Sequence, residues 1–175
     1  MLNIPEYKEY GGETKIALMD NSSLAFMHEL SQRSYPSDGI LSVYDLILIP
    51  KWVMEEIEDS TYRSTYVEQL QAQGYPIRWI DETKYGTFVN DEDVNLYYIV
   101  EAAVSRVSEL MRFLRRKVKT EDLIDLPSAE EWMNRLYDEW PIHGRTLSTG
   151  RALKKNAGEI SLTILAEVFA WYHDE

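Results

Sequence analysis

Residues 15–26 read KIALMDNSSLAF, and this stretch determines the fold that the rest of the sequence supports. Its first part, residues 15–19, is a short apolar run of the kind found in strands that are buried on both faces of a parallel sheet. The polar residues that follow are good helix N-caps, so a helix is expected next. This order of strand, sharp turn and helix places Asp20 at the carboxyl end of the first strand.

The same order recurs further along the chain. Residues 46–49 (LILI) predict a second buried strand, and Pro50 fits the first turn of a following helix. That helix is expected from Lys51 to about Asp59, with an extension towards Gln73, and Glu56 lies at the edge of its inner face. Residues 77–80 (IRWI) predict a third strand.

The second half of the sequence predicts helices. Apolar residues spaced by three and four predict one long helix over 91–118 that Asn90 caps, and a second helix is expected between Pro127 and Pro141. Residues 143–156 are polar and basic, and they predict a loop or a short helix. The last helix, residues 159–173, is apolar nearly all round, which is typical of a helix packed inside a molecule.

The order of these elements indicates an α/β fold, with a parallel sheet flanked by helices. A length of 175 residues fits one domain, 1–175, in which the helices at about 90–140 form an added pair. Residues 1–14 are polar and contain Gly11-Gly12, which breaks any regular element, so they are interpreted as an arm.

Composition limits the classes of function. The sequence has no cysteine, which excludes thiolate metal sites, and no apolar run approaches the roughly 20 residues of a membrane span. The N-terminus lacks a secretory pattern, so a cytoplasmic protein without a membrane partner is expected. A formal net charge of −12 argues against broad, non-specific binding of duplex nucleic acid. It does not argue against a nuclease whose acids are masked by divalent metal.

Three acids lie where chemistry is expected. Asp20 follows the first strand, Glu56 lies one turn into the helix after the second strand, and Glu159 lies in the first turn of the last helix. Ligands of open α/β sheets bind beyond the carboxyl ends of the strands, and carboxylates suit hard cations. Each acid also has a plainer explanation, because Asp20 can cap a helix and acids are favoured near any helix N-terminus.

Taken together, the three segments resemble the PIN-like family of metal-dependent nucleases. The matching pieces are KIALMDNSSLAF with Asp20, LILIPKWVMEEIED with Glu56, and NAGEISLTILA with Glu159, and the resemblance covers most of residues 15–170. It implies a Rossmann-like, three-layer arrangement of the sheet and helices.

The resemblance also implies a chemistry. Asp20, Glu56 and Glu159 would be the catalytic acids and the ligands of Mg²⁺ or Mn²⁺, and the metal would activate water for hydrolysis of an RNA phosphodiester. Asn21 or Ser22 matches the small polar position after the first acid, and would orient that carboxylate or a bound water.

A basic segment precedes Glu159. In a nuclease Arg145, Arg151, Lys154 and Lys155 would hold the phosphates of the substrate, although a solvated basic loop explains them equally well. The resemblance makes RNA the expected substrate. Many PIN-like proteins are toxins of toxin–antitoxin modules, so an antitoxin or another protein partner, and a homodimer, are further expectations by analogy.

One departure from the family pattern leaves the activity open. PIN-like domains usually carry another Asp on a strand after the Gly-Glu helix, whereas this chain stops at Glu175 and Asp174 follows no strand. Either the sequence is truncated or the natural protein lacks that strand. A non-catalytic PIN-like binding or regulatory module is therefore the alternative. An unrelated α/β protein with an apolar interaction surface on helix 91–118 is a second one.

Overall fold

The computed structural model describes residues 2–35, 38–89 and 93–173. Its backbone contacts divide the chain into two compact units, Met1–Ile80 and Asp81–Glu175. Among the described residues, no helix combines the length and the apolarity needed to cross a membrane. The expectation of a single domain with an elaboration at about 90–140 remains a prediction.

The first unit is a parallel sheet with helices, as the apolar runs predict. Its elements are β1 (Ile16–Leu18), α1 (Asn21–Gln32), a 3-10 helix (Asp38–Val43), β2 (Leu46–Pro50), α2 (Lys51–Glu58), α3 (Thr61–Ala72) and β3 (Ile77–Ile80). The predicted helical region 51–73 is thus two helices, separated at Asp59 and Ser60. The Ser60 hydroxyl caps α3 by accepting a hydrogen bond from the Arg63 N–H.

The sheet has the strand order β1-β2-β3, and both pairs are parallel. All five residues of the central strand β2 are buried, as expected for a strand that is covered on both faces. Because parallel crossovers are right-handed, this order places α1 and the α2–α3 pair on the same face. The three helices contact one another. The α/β prediction is therefore confirmed at the level of a parallel sheet flanked by helices.

The N-terminal segment is not an arm. Glu6 forms a parallel bridge with Trp79, in which the Tyr7 N–H donates to the Trp79 carbonyl at 2.7 Å and the Trp79 N–H donates to the Pro5 carbonyl at 3.0 Å. Leu2, Ile4 and Tyr7 are buried. The prediction from polar composition is wrong here because an edge strand offers unpaired backbone groups, which this segment satisfies.

The second unit is mainly helical. Its elements are a 3-10 helix (Glu82–Phe88), α4 (Asp93–Val104), α5 (Ser108–Lys117), a 3-10 helix (Thr120–Ile124), α6 (Ala129–Asp138), β4 (His143–Thr146), β5 (Ala152–Lys154) and α7 (Ala157–His173). Within this unit α4 packs against α7, and α6 packs against the 3-10 helix at Glu82–Phe88.

The prediction of one long helix over 91–118 is wrong. The helix breaks between Val104 and Ser108, although the apolar stripe continues through the break and both flanking helices bury their share of it. A stripe reports which side chains face inward, and two short helices joined by a tight turn satisfy it as well as one long helix. The expected capping residue, Asn90, lies outside the described residues.

Two further corrections concern the C-terminal third. Residues 143–156 form an antiparallel hairpin, in which His143 pairs with Lys154 and Thr146 with Ala152, rather than a loop or short helix. The last helix is not buried all round, because Thr163, Glu167 and Trp171 are exposed, the last at 51%. One face of this helix is therefore exposed to solvent, although its composition is mostly apolar.

Candidate functional site

Asp20 lies just beyond the carboxyl end of β1, as predicted, and it caps α1. Its Oδ1 accepts a hydrogen bond from the Ser23 N–H at 2.6 Å, which is the plainer of the two roles considered for it. The other oxygen, Oδ2, has no hydrogen-bond donor within the described ranges of the chain. The carboxylate thus stabilises the first turn of α1 through one atom and presents the other to solvent.

Asn21 and Glu56 are brought together at the same edge of the sheet. The side-chain amide of Asn21 donates to Oε2 of Glu56 at 3.2 Å, although the two residues are 35 positions apart in sequence. Both positions are set by strands, because α1 begins after β1 and α2 begins after β2, and these strands are adjacent and parallel. The contact therefore joins the residue next to Asp20 to the acid of the second predicted segment.

The environment of this edge is partly buried. Asp20, Asn21 and Glu56 are each intermediate in exposure, and the Oδ1 atom of Asn21 is buried without a hydrogen-bond partner in the described structure. Arg63 of α3 donates to the Glu56 backbone carbonyl at 3.3 Å and so fixes the end of α2. Ser22 is exposed in the first turn of α1.

Glu159 belongs to the second unit, whereas Asp20 and Glu56 belong to the first. Its side chain is exposed in the first turn of α7, and its backbone carbonyl accepts a hydrogen bond from the Thr163 hydroxyl at 2.8 Å. Its location at a helix N-terminus, as predicted, is one that favours a carboxylate.

The acids do not form a complete ligand set within either unit. In the described part of neither unit are three or more His, Asp or Glu side chains grouped as metal ligands. At the edge of the first unit lie the Asp20 carboxylate and the Glu56 carboxylate that Asn21 contacts. Mg²⁺ typically takes one or two protein carboxylates, and completes its octahedron with water and substrate phosphates. A cation at this edge would therefore need water or substrate to complete its coordination.

The predicted phosphate-binding cations lie on the β4–β5 hairpin. Arg145, Arg151 and Lys155 are exposed. Lys154 is partly exposed, and its ammonium group donates to the Asp138 carbonyl of α6 at 3.1 Å and lies 5.3 Å from the centre of the Tyr137 ring. Three of the four cations thus lie at the surface and one lies at the base of the hairpin.

A buried polar network in the second unit is absent from the sequence predictions. The Ser161 hydroxyl donates to Oε1 of Glu82 at 2.7 Å, and the Tyr85 hydroxyl is 2.9 Å from the same oxygen of Ser161. All three residues are at least 99% buried. Burial raises the pKa of Tyr85 well above its ordinary value, and the neighbouring Glu82 carboxylate adds to that effect. A weak signal existed, because Glu82 follows the third strand and Ser161 interrupts an apolar helix.

Two further acids that lie beside strands, Asp45 and Asp81, have structural roles. Asp45 Oδ2 accepts hydrogen bonds from both Thr14 and Lys15, before β1 begins, so it lies at the opposite end of that strand from Asp20. Those bonds lower the pKa of Asp45 below its ordinary value of 3.8. Asp81 caps a 3-10 helix by accepting hydrogen bonds from Thr83.

Comparison of the chain with protein-family models, with curated proteins and with solved structures finds no match.

Proposed function

We propose that this chain is a PIN-like, metal-dependent ribonuclease in which Asp20 and Glu56 provide the metal-binding edge of the first unit. The catalytic role of Glu159 stays a prediction from the sequence. The observation that supports this most is the hydrogen bond between Asn21 and Glu56, because it joins two of the three predicted segments at the carboxyl ends of adjacent parallel strands. Open α/β sheets bind their ligands at this edge.

The roles of the residues follow from their chemistry. Asp20 and Glu56 would bind Mg²⁺ or Mn²⁺, which would supply Lewis acidity and lower the pKa of a bound water. Asn21 holds the Glu56 carboxylate in place through its amide, and a fixed carboxylate loses less entropy when it binds a cation. Ser22 is exposed beside Asp20 and can donate to a phosphate oxygen or a water.

The cap of α1 makes a sharp test available. Asn is as good an N-cap as Asp, so Asp20→Asn keeps the hydrogen bond to the Ser23 N–H while it removes the charge. Purified wild type should cleave a fluorescent RNA in Mn²⁺ or Mg²⁺ and be silent in EDTA. The Asp20→Asn variant should lose roughly 100-fold or more of that rate, because a metal ligand contributes several kcal/mol to the transition state.

A matched control lies on α2. Glu56→Gln should reduce cleavage to a similar extent as Asp20→Asn, whereas Glu55→Gln, one residue earlier on the same helix, should leave the rate within about twofold of wild type. Equal rates for Glu55→Gln and Glu56→Gln would show that the Asn21 contact does not mark a catalytic acid.

A non-catalytic binding module is the second candidate. It is favoured by the absence of a third acid beside Asp20 and Glu56 in the described part of the first unit. A shallow groove of about 360 Å³ between α4 and α7 is lined mainly by apolar atoms, with Tyr98 and Trp171 each 51% exposed. Exposed aromatic surface of this kind is typical of protein contacts. This candidate replaces the first if the wild type neither binds Mn²⁺ nor cleaves RNA.

A further inference from the structure

The β4–β5 hairpin exposes only groups that can donate hydrogen bonds to phosphate. The side chains of residues 143–155 include no Asp or Glu, although the whole chain has 30 of them. The exposed residues of this segment are basic, hydroxyl-bearing or glycine, namely His143, Arg145, Thr146, Ser148, Thr149, Gly150, Arg151 and Lys155. A segment of this length without acids stands out in a protein of net charge −12.

The hairpin is fixed at its base. The Lys155 N–H donates to the Ile142 carbonyl at 2.9 Å, and the indole N–H of Trp140 donates to the Lys155 carbonyl at 3.1 Å. Lys154 adds the contacts with α6 described above, and Leu153 is buried. The base of the hairpin is therefore held in place by packing and hydrogen bonds.

The tip of the hairpin is also ordered by its own bonds. The Leu147 N–H donates to the Arg151 carbonyl at 2.7 Å, and the Gly150 N–H donates to the Leu147 carbonyl at 2.9 Å. Gly150 has φ +84°, a conformation that glycine adopts without strain. Leu147 is buried beneath this turn, so Ser148 and Thr149 project from a short and closed loop.

We propose that this hairpin is a sequence-independent contact surface for the sugar–phosphate backbone of RNA. Arg145, Arg151 and Lys155 would pair with phosphates, and the hydroxyls at the tip would donate to phosphate oxygens. Apart from the His143 imidazole, the exposed part of residues 143–155 carries no aromatic ring for base stacking, and it has no Asn or Gln amide for reading base edges. The choice of RNA as the polyanion rests on the proposed function.

Because the rest of the chain is acidic, binding of RNA would need a local surface without acids. Nucleic-acid binding depends on the release of counterions by local cations, and negative charge elsewhere on the protein repels phosphates. A ribbon without acids gives the substrate one defined place of contact. Lys154 is not included in this surface, because it is only partly exposed.

The test measures binding without catalysis. Fluorescence anisotropy in EDTA, with labelled 20-nucleotide oligouridine and a mixed-sequence RNA of equal length, should give similar affinities for both. The affinity of the wild type should fall with salt with a slope of about −2 in a double-logarithmic plot, as three phosphate contacts on a single strand require. The triple variant Arg145→Gln/Arg151→Gln/Lys155→Gln should bind roughly 50-fold more weakly at low salt.

A control triple changes net charge by the same amount elsewhere in the second unit. Arg106, Arg112 and Arg116 are exposed on or beside α5, and their replacement by Gln should weaken binding less than about threefold. The charge-conserving variant Arg145→Lys/Arg151→Lys should retain most of the wild-type affinity. Melting temperatures of all variants should agree, because the substituted side chains lie at the surface.

Several results would overturn the proposal. These are equal weakening by the two triple variants, a strong preference for one RNA sequence, or tighter hairpin-dependent binding of a poly-aspartate peptide than of RNA. Its failure is distinguishable from that of the nuclease proposal. Hairpin-dependent binding without any cleavage would contradict only the nuclease, whereas cleavage with an unchanged KM in the hairpin variant would contradict only the hairpin proposal.

Discussion

Asp20 and Glu82 occupy the same position in sequence relative to a strand, yet their environments differ completely. Each lies two residues beyond a strand of the parallel sheet, Asp20 after β1 and Glu82 after β3. Asp20 is partly exposed and uses one oxygen as a helix cap, whereas Glu82 is 1% exposed and accepts a hydrogen bond from Ser161. An acid that follows a strand is therefore a candidate ligand-binding residue, but only an acid with solvent-accessible oxygens can bind a ligand.

The largest expected effect is the loss of RNA cleavage when Asp20 is replaced. Asp20→Asn should abolish most cleavage and leave the free energy of unfolding nearly unchanged, because the cap is retained. Asp20→Ala should in addition lower the free energy of unfolding by about 1 kcal/mol. Urea titrations beside the cleavage assay check this. A large loss of stability in Asp20→Asn would mean that the carboxylate is chiefly structural.

The next largest effect is a loss of stability when the hydrogen bond to the buried Glu82 is removed. Ser161→Ala should lower the free energy of unfolding by about 1–3 kcal/mol, because it leaves Glu82 and Tyr85 buried with one partner fewer. Thr163→Ala, two residues further along α7, is the control, since its hydroxyl is exposed. Thermal denaturation of both variants is the measurement. Equal melting temperatures would show that the network contributes nothing measurable.

These two regions also show what the sequence could and could not predict. Strands β1, β2 and β3 were predictable to within one residue because each is a compact apolar run, and Asp20 followed directly from the end of the first run. The contact between Ser161 and Glu82 joins residues 79 positions apart. Neither local propensity nor periodicity carries information about such a pair, so it had to come from the structure.

The predictions for the hairpin and for the N-terminal segment were wrong for a related reason. Residues 143–156 are polar and basic, and their strands are short and lack the alternation of a half-buried strand. Leu2 and Ile4 are buried only because the edge of β3 pairs with this segment. In both places the structure depends on a neighbouring element, which a local pattern does not report.

Alkaline pH should lower the free energy of unfolding of the wild type through the buried Tyr85. Its folded-state pKa is raised by burial, so the stability it contributes is complete below the ordinary value of 10.0 and is lost as pH rises above it. Wild type should therefore lose stability more steeply above pH 10 than Tyr85→Phe, which has no proton to lose there. Chemical denaturation at several alkaline pH values measures this. Parallel curves for the two proteins would contradict the buried position of the ring.

The smallest expected effect is at Asp45, an exposed acid at the opposite end of β1 from Asp20. Its folded-state pKa is lowered by hydrogen bonds from Thr14 and Lys15, so its contribution is present above pH 3.8 and is lost as pH falls through the folded-state value. Asp45→Asn should be slightly less stable than wild type near neutrality. The difference should shrink in denaturation curves recorded below pH 3.8. A difference that grows on acidification would reverse the assignment.

Electron paramagnetic resonance can follow the binding of Mn²⁺ to the wild type and to Asp20→Asn, with and without an uncleavable phosphorothioate RNA. We expect weak binding by the wild type that RNA strengthens, because substrate phosphates complete the coordination of the cation. In Asp20→Asn we expect no such RNA-dependent binding. Mn²⁺ binding that is identical in the two proteins, or absent from both in the presence of RNA, would contradict a metal site at Asp20.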